Sequence, residues 1–190
     1  MRLAFRPVTA PDPDDWLPDP QVRTVHRRDA QAGAEALWQA AETVRVCEAP
    51  TLGRVLRWRI PGTPADLPYR DVFRRYPFAV LDEGERWSVS GLCGSVWTLK
   101  RDYPRLEGPD DFRAWDRPGT VRVLFAHWVE DGADGRATLV SESRVKPVDR
   151  RGGLQLRALW AVVGRFERLI GGEALQVAAR RAEDGDRTSG

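Results

Sequence analysis

The sequence predicts an α+β domain in which a long C-terminal helix closes an antiparallel sheet. Two observations carry this prediction. First, Val121, Val123, Phe125, His127 and Val129 alternate with Arg122, Leu124, Ala126 and Trp128, and a turn over 130–136 leads into a second run, 137–146. A period of two is the signature of a strand, and Gly132 with Asp134–Gly135 between two such runs marks a hairpin. Second, from Asp149 to about Glu183 the apolar residues Leu156, Leu159, Trp160, Val163, Phe166, Ile170 and Val177 recur at helical spacing, with Arg157, Arg165 and Arg168 on the other side. Thirty residues at the helical rise make a rod of roughly 45 Å, and Gly171–Gly172 predicts a kink within it.

The elements before these follow in chain order. Residues 1–20 read as an arm, because Pro11, Pro13, Pro18 and Pro20 are interleaved with Asp12, Asp14, Asp15 and Asp19; only Trp16 and Leu17 offer anchors. A first strand is expected over Val22–Arg27. Asp29 is then placed to cap a helix over Ala30–Thr43, with Leu37, Trp38 and Ala41 on one face. Val44–Cys47 reads as a short strand. Gly53–Ile60 reads as a longer one, with Leu56, Trp58 and Ile60 opposed to Arg57 and Arg59.

Prolines open an irregular segment, 61–77, with a helical turn near Asp71–Arg75. Phe78–Asp82 and Arg86–Leu99 form a hairpin whose Gly91 and Gly94 predict a bulge or a close backbone approach. A second irregular segment, 100–119, contains a short helix opened by Pro109 over Asp110–Trp115. Residues 184–190 read as a disordered tail.

Composition sets bounds on function. The chain has 190 residues, enough for one domain with a full core. Its formal charge is +2, from 30 basic and 28 acidic residues, so no strong field concentrates polyanions. Nucleic acid is excluded as a partner on that ground, although Arg57–Trp58–Arg59 and Arg86–Trp87 pair cations with aromatics. Only Lys100 and Lys146 are lysines; the rest of the basic set is arginine, as a GC-rich genome produces. No window reaches the roughly 18 apolar residues of a membrane span, and the N-terminus has no signal-peptide core, so a cytoplasmic location is expected. Cys47 and Cys93 lack metal or disulfide-scaffold spacing and are expected to be reduced thiols.

Three stretches, ERWSVSGLCGSVW at 85–97, ATLVSESRVKPVD at 137–149 and LWAVVGRFERLIGGEALQVAARRAE at 159–183, resemble the START/Bet v 1-like (SRPBCC) superfamily, within it an uncharacterised bacterial branch. Polyketide cyclases and lipid carriers belong to that superfamily. The resemblance covers roughly 21–183 and implies a helix-grip fold: a curved antiparallel sheet wrapped around the C-terminal helix, with a cleft between them. The two Pro-rich insertions depart from the cyclase pattern, and cyclase chemistry is not carried over.

Candidate site residues follow from which side chains share the inward face. His127 is aligned with Val121, Val123, Phe125 and Val129; it reads either as a general base or ligand-orienting group, or as a neutral core imidazole. Ser141 and Ser143 share a face with Leu139 and Val145, which reads either as the mixture of a small-molecule pocket or as a sheet tolerating small residues, while Glu142, Arg144 and Lys146 point outward into weak surface ion pairs. A register slip of one residue would exchange these two sets. Cys93, between Gly91 and Gly94, reads as a nucleophile if a partner lowers its pKa, and otherwise as an inert thiol. Trp58, Trp97, Trp160 and Phe166 read as core aromatics, any of which can line a cavity while most simply pack, and Phe125 shares the face of His127.

No phosphate loop, dinucleotide fingerprint, nucleophile elbow or metal-ligand cluster is present in the sequence, so no cofactor or metal is expected. The leading expectation is a binding module for a small hydrophobic molecule, with the insertions 61–77 and 100–119 as lids. The alternatives are a cyclase- or dehydratase-like enzyme with His127 as base, and an interaction protein with a filled core that dimerises.

Overall fold

A computed structural model describes residues 10–98, 103–170 and 172–189. Among these, five strands form one antiparallel sheet: β1 (Val22–Ala30), β2 (Ala79–Gly84), β3 (Trp87–Gly94), β4 (Val121–Asp131) and β5 (Ala137–Pro147), in the order β1-β5-β4-β3-β2. The helices are α1 (Ala34–Thr43), α2 (Pro50–Arg59), α3 (Tyr69–Val72), α4 (Pro109–Ala114), α5 (Arg150–Ile170) and α6 (Glu173–Ser189). The first strand closes beside the last, helices follow it at once, and the terminal helices lie over one face. This is the helix-grip arrangement, α+β in class.

Sequence and structure agree where the pattern is long. β4 and β5 form the predicted hairpin, with Phe125 opposite Ser143 and His127 opposite Ser141. Asp149 caps α5, its Oδ1 accepting from the Gly152 N–H at 2.7 Å. The predicted rod, expected to kink, is two helices, α5 ending at Ile170 and α6 beginning at Glu173. Helix α6 continues to Ser189, through most of the span expected to be a disordered tail. The close approach expected in β3 occurs at Gly91: a Cβ there would sit 2.6 Å from the Phe112 ring. The bulge lies instead in β2, between Val80 and Asp82.

Several short-range expectations are corrected. Residues 53–59 are helical, not extended, and Ile60 is the cap that follows them. Five alternating residues do not separate a strand from a helix, and Pro50 in the first turn has the φ a helix start needs. Gly53 lets α2 approach Val46, whose carbonyl oxygen would lie 2.4 Å from an added Cβ. The predicted strand at 44–47 is one bridge, Arg45 to Pro68, followed by a 3-10 turn over Val46–Glu48. Asp29 caps nothing: β1 runs on to Ala30, with Asp29 accepting from Thr138 Oγ1 at 2.7 Å, and α1 starts after Gly33. Strand β3 stops at Gly94, whose φ of 142° ends the extended run; the last predicted residue of that strand, 99, and residues 100–102 of the second insertion lie outside the described residues.

Both faces of the sheet are covered. The helix-bearing side, here called the grip face, carries Leu92, Val121, Val123, Val129, Leu139 and Val145 against α1, α5 and α6. The back face carries Val89, Cys93, Leu124, Ala126 and Val140 against Phe112 of α4 and against Trp16 and Leu17. Leu17 is fully buried and Trp16 8% exposed; a side chain such as Leu17 contributes about 1.5–3 kcal/mol through burial. The Pro/Asp-rich segment thus seals a face that a one-sided sheet would leave to solvent. No helix among the described residues is long and apolar enough to cross a membrane.

Candidate functional site

Directly opposed residues in antiparallel strands share a face, so the register places side chains in rows. One row across the grip face is His26 (β1), Ser141 (β5), His127 (β4) and Ser88 (β3). The next is Thr24, Ser143, Phe125 and Ser90. Both histidines of the chain therefore stand in one row with Ser141 between them, although a hundred residues separate them in sequence. The Thr24 and Ser143 hydroxyls share a hydrogen bond of 2.5 Å. This band of hydroxyls and imidazoles runs between two apolar clusters, one under α1 and α6 and one under α5.

His127 is 6% exposed. Its ring stands 4.9 Å from that of Phe73 and 6.1 Å from that of Tyr69, both held by α3 and the residue after it. Burial, reinforced by the charge of Arg70, pushes the imidazole down to about 3, so the ring is neutral across the physiological range. A cavity of about 20 Å³ adjoins it, lined in part by Trp38, Tyr69, Arg70, Leu139 and Leu175. Beyond His127, Phe73, Phe78 and Phe125 form an aromatic triangle with centroid separations of 5.0–5.6 Å. Trp97 and Trp160 are partly buried against the same cluster as Phe125.

The structure assembles the expected candidates only in part. His127, Phe125, Ser141, Ser143, Trp97 and Trp160 belong to the grip side. Cys93 does not: it stands opposite Arg122 on the back face, and burial pushes its thiol up to about 12, the state of an inert thiol. Trp58, on α2 rather than on a strand, is 68% exposed and lines nothing internal. Phe166 lies on α5, and its side chain is outside the described residues.

Glu142 and Arg144 do face away from the serines, as the unshifted register requires, but they are 2% and 3% exposed and not surface groups. Arg144 Nε donates to Glu142 Oε1 at 2.5 Å, and its Nη1 donates to Asp14 Oδ1 at 2.5 Å and to the Leu17 carbonyl at 3.1 Å. Arg23 holds the same Glu142 with a two-pronged contact of 2.8 and 3.0 Å. These charges clamp the N-terminal segment to the back face. For Glu142, burial would raise the carboxyl, but the hydrogen bonds from Arg23 and Arg144 outweigh it and hold the group below its ordinary value.

The residues that sequence reasoning passed over are Thr24, His26, Ser88, Ser90, Tyr69, Arg70, Phe73 and Phe78. A signal existed for four of them. Ser88 and Ser90 repeat in β3 the alternation of Ser141 and Ser143 in β5, and Thr24 and His26 hold the same parity in β1. Tyr69, Arg70 and Phe73 lie in a segment that reads as irregular.

No family model matches the chain, and no curated protein matches it. Among solved structures it is similar to the Zhui aromatase/cyclase of Streptomyces sp. R1128, with 15% identity, 89% of this chain and 98% of that one covered, and a TM-score of 0.34. A hypothetical protein of Helicobacter pylori gives 9% identity, coverage of 92% and 96%, and a TM-score of 0.38. Norcoclaurine synthase of Thalictrum flavum gives 13%, 86% and 86%, and 0.29. Among the described residues no group of three His, Cys, Asp or Glu side chains is placed to hold a metal ion.

Proposed function

We propose that the chain is a START/Bet v 1-like binding domain that holds one small hydrophobic or amphipathic molecule between the grip face and α5. One observation carries this reading. Along β4, Leu124 and Ala126 are fully buried on the back face, yet Phe125 between them remains partly open on the grip face. A strand flanked on both sides and covered by a helix ordinarily buries both faces; one that stays open beneath a helix borders a groove. Thr24, His26 and Ser143 are likewise only partly buried. Aromatic walls with a few hydroxyl and imidazole groups form the usual lining of a small-molecule site. Phe78, Phe125, Trp97 and Trp160 supply the walls, and Thr24, Ser143 and His26 would orient a polar end.

The space beside His127 is too small for such a molecule, so the reading rests on the open surface around Phe125. The same geometry favours binding over catalysis. A general base works best with a pKa near the working pH, and the buried His127, lowered to about 3, is a weak one.

The test uses 1-anilinonaphthalene-8-sulfonate as an apolar fluorescent probe, with native mass spectrometry of freshly purified protein to detect a carried ligand. Saturable one-to-one binding is expected. Ser143→Phe, at a partly exposed position, should fill the groove and weaken binding at least tenfold, about 1.4 kcal/mol, with the melting temperature nearly unchanged. Binding that does not saturate, or that Ser143→Phe leaves intact, defeats the proposal.

A further inference from the structure

Two interior polar atoms, Nε2 of His127 and Nε of Arg70, have no hydrogen-bond partner among the described residues. Both residues line the cavity of about 20 Å³ under α1, α3 and α6. Both are more than nine-tenths buried, at 6% and 5% exposure. A buried donor or acceptor left unpaired bears its full desolvation cost, so two of them at one small cavity indicate a shared partner. Arg70 is fixed from other directions: an Nη1 contact ties it to Glu42, and its guanidinium carbon lies 4.0 Å above the Trp38 ring. His127 is held by an edge-on contact with Tyr69 and a tilted one with Phe73.

A water molecule needs roughly 10–15 Å³ of such space and two to four polar partners. We propose that this cavity is a binding site for a single ordered water, which accepts from the Arg70 Nε–H and donates to His127 Nε2. The chemistry selects water over a small anion. Glu42 already neutralises Arg70, so an anion would bring an unmatched charge against Ala41, Val44, Leu139 and Leu175. The arrangement also assigns the histidine tautomer. With the Nε2 lone pair engaged, the ring proton sits on Nδ1, and the neighbouring cation favours that choice. His127 thereby becomes a positioned link between the polar row of the sheet and the Arg70–Glu42 pair that joins α3 to α1. This goes beyond the ligand-binding reading and does not depend on it.

The wild-type protein suffices for the test. Crystals grown with and without sodium bromide, together with nitrogen-15 spectra of the histidine rings, report on site and tautomer separately. The expected result is one density peak at about 2.7–3.2 Å from both atoms, without a bromide anomalous signal, and an unprotonated His127 Nε2 at neutral pH. His127→Phe should lose the peak. A bromide peak in the cavity, a direct Arg70–His127 hydrogen bond with no density between, or a proton on Nε2 each overturns the proposal.

Discussion

Replacing Arg144 by Met tests whether the N-terminal segment is held by a buried charge cluster. Arg144 and Glu142 have side chains only 4% and 3% exposed, and their hydrogen bond measures 2.5 Å. Removing one member of a buried pair typically costs about 3–5 kcal/mol, because the other charge is stranded. Here Arg23, whose side chain is 58% exposed, still reaches Glu142, so the low end applies, about 3 kcal/mol. For a chain of this size, that lowers the melting temperature by roughly 6–12 °C, at about 2–4 °C per kcal/mol.

Denaturant unfolding at neutral pH measures the loss directly, and pH gives a second handle. The Glu142 carboxyl is depressed in the fold, so its stabilisation is present above its unfolded value near 4.5 and fades as pH falls through the lower folded value. The gap between wild type and Arg144→Met should therefore narrow in acid. Adding Glu142→Leu to Arg144→Met should recover much of the loss, since both charges are then gone. A single variant within about 0.5 kcal/mol of wild type, the scatter of ordinary surface changes, refutes the clamp. A double variant no better than the single one does the same.

Two further outcomes follow from burial. Cys47 is exposed and Cys93 is buried with its thiol pushed up to about 12, so a thiol reagent on native protein should label one equivalent quickly and the second only after denaturation. Rapid labelling of both would place Cys93 at an accessible site. His127, lowered to about 3 in the fold against 6.5 unfolded, binds its proton more weakly when native, so stability should fall as pH drops through 6.5 toward the folded value. That slope approaches 1.4 kcal/mol per pH unit, and His127→Phe should flatten it; equal slopes in the two proteins would show that His127 titrates normally.

The parts of the fold legible in the sequence are those where one pattern persists. Val121 to Val129 alternates long enough to show a strand with two distinct faces, and Ser141 and Ser143 share one parity, but the β4–β5 register is what sets those serines on the face of His127. Leu56, Trp58 and Ile60 alternate only briefly, and the close contact of Gly53 with Val46 set that segment as a helix, turning Trp58 out to solvent. Cys93 could not be separated from the grip face until the pairing of β3 with β4 placed it beside Arg122.

By itself the sequence determined the α+β class, the β4–β5 hairpin, the terminal helical region and the parity of the serines, because these depend on local periodicity. The tertiary structure alone decided that both histidines share a row, that α3 delivers Arg70 and Phe73 to it, and that Glu142 and Arg144 are roofed by the N-terminal segment. Those facts depend on strand order and on which segment covers which face. They involve contacts between residues far apart in the chain, from Phe73 with His127 to Asp14 with Arg144, where the free energy of burial, and not local backbone preference, selects the partner.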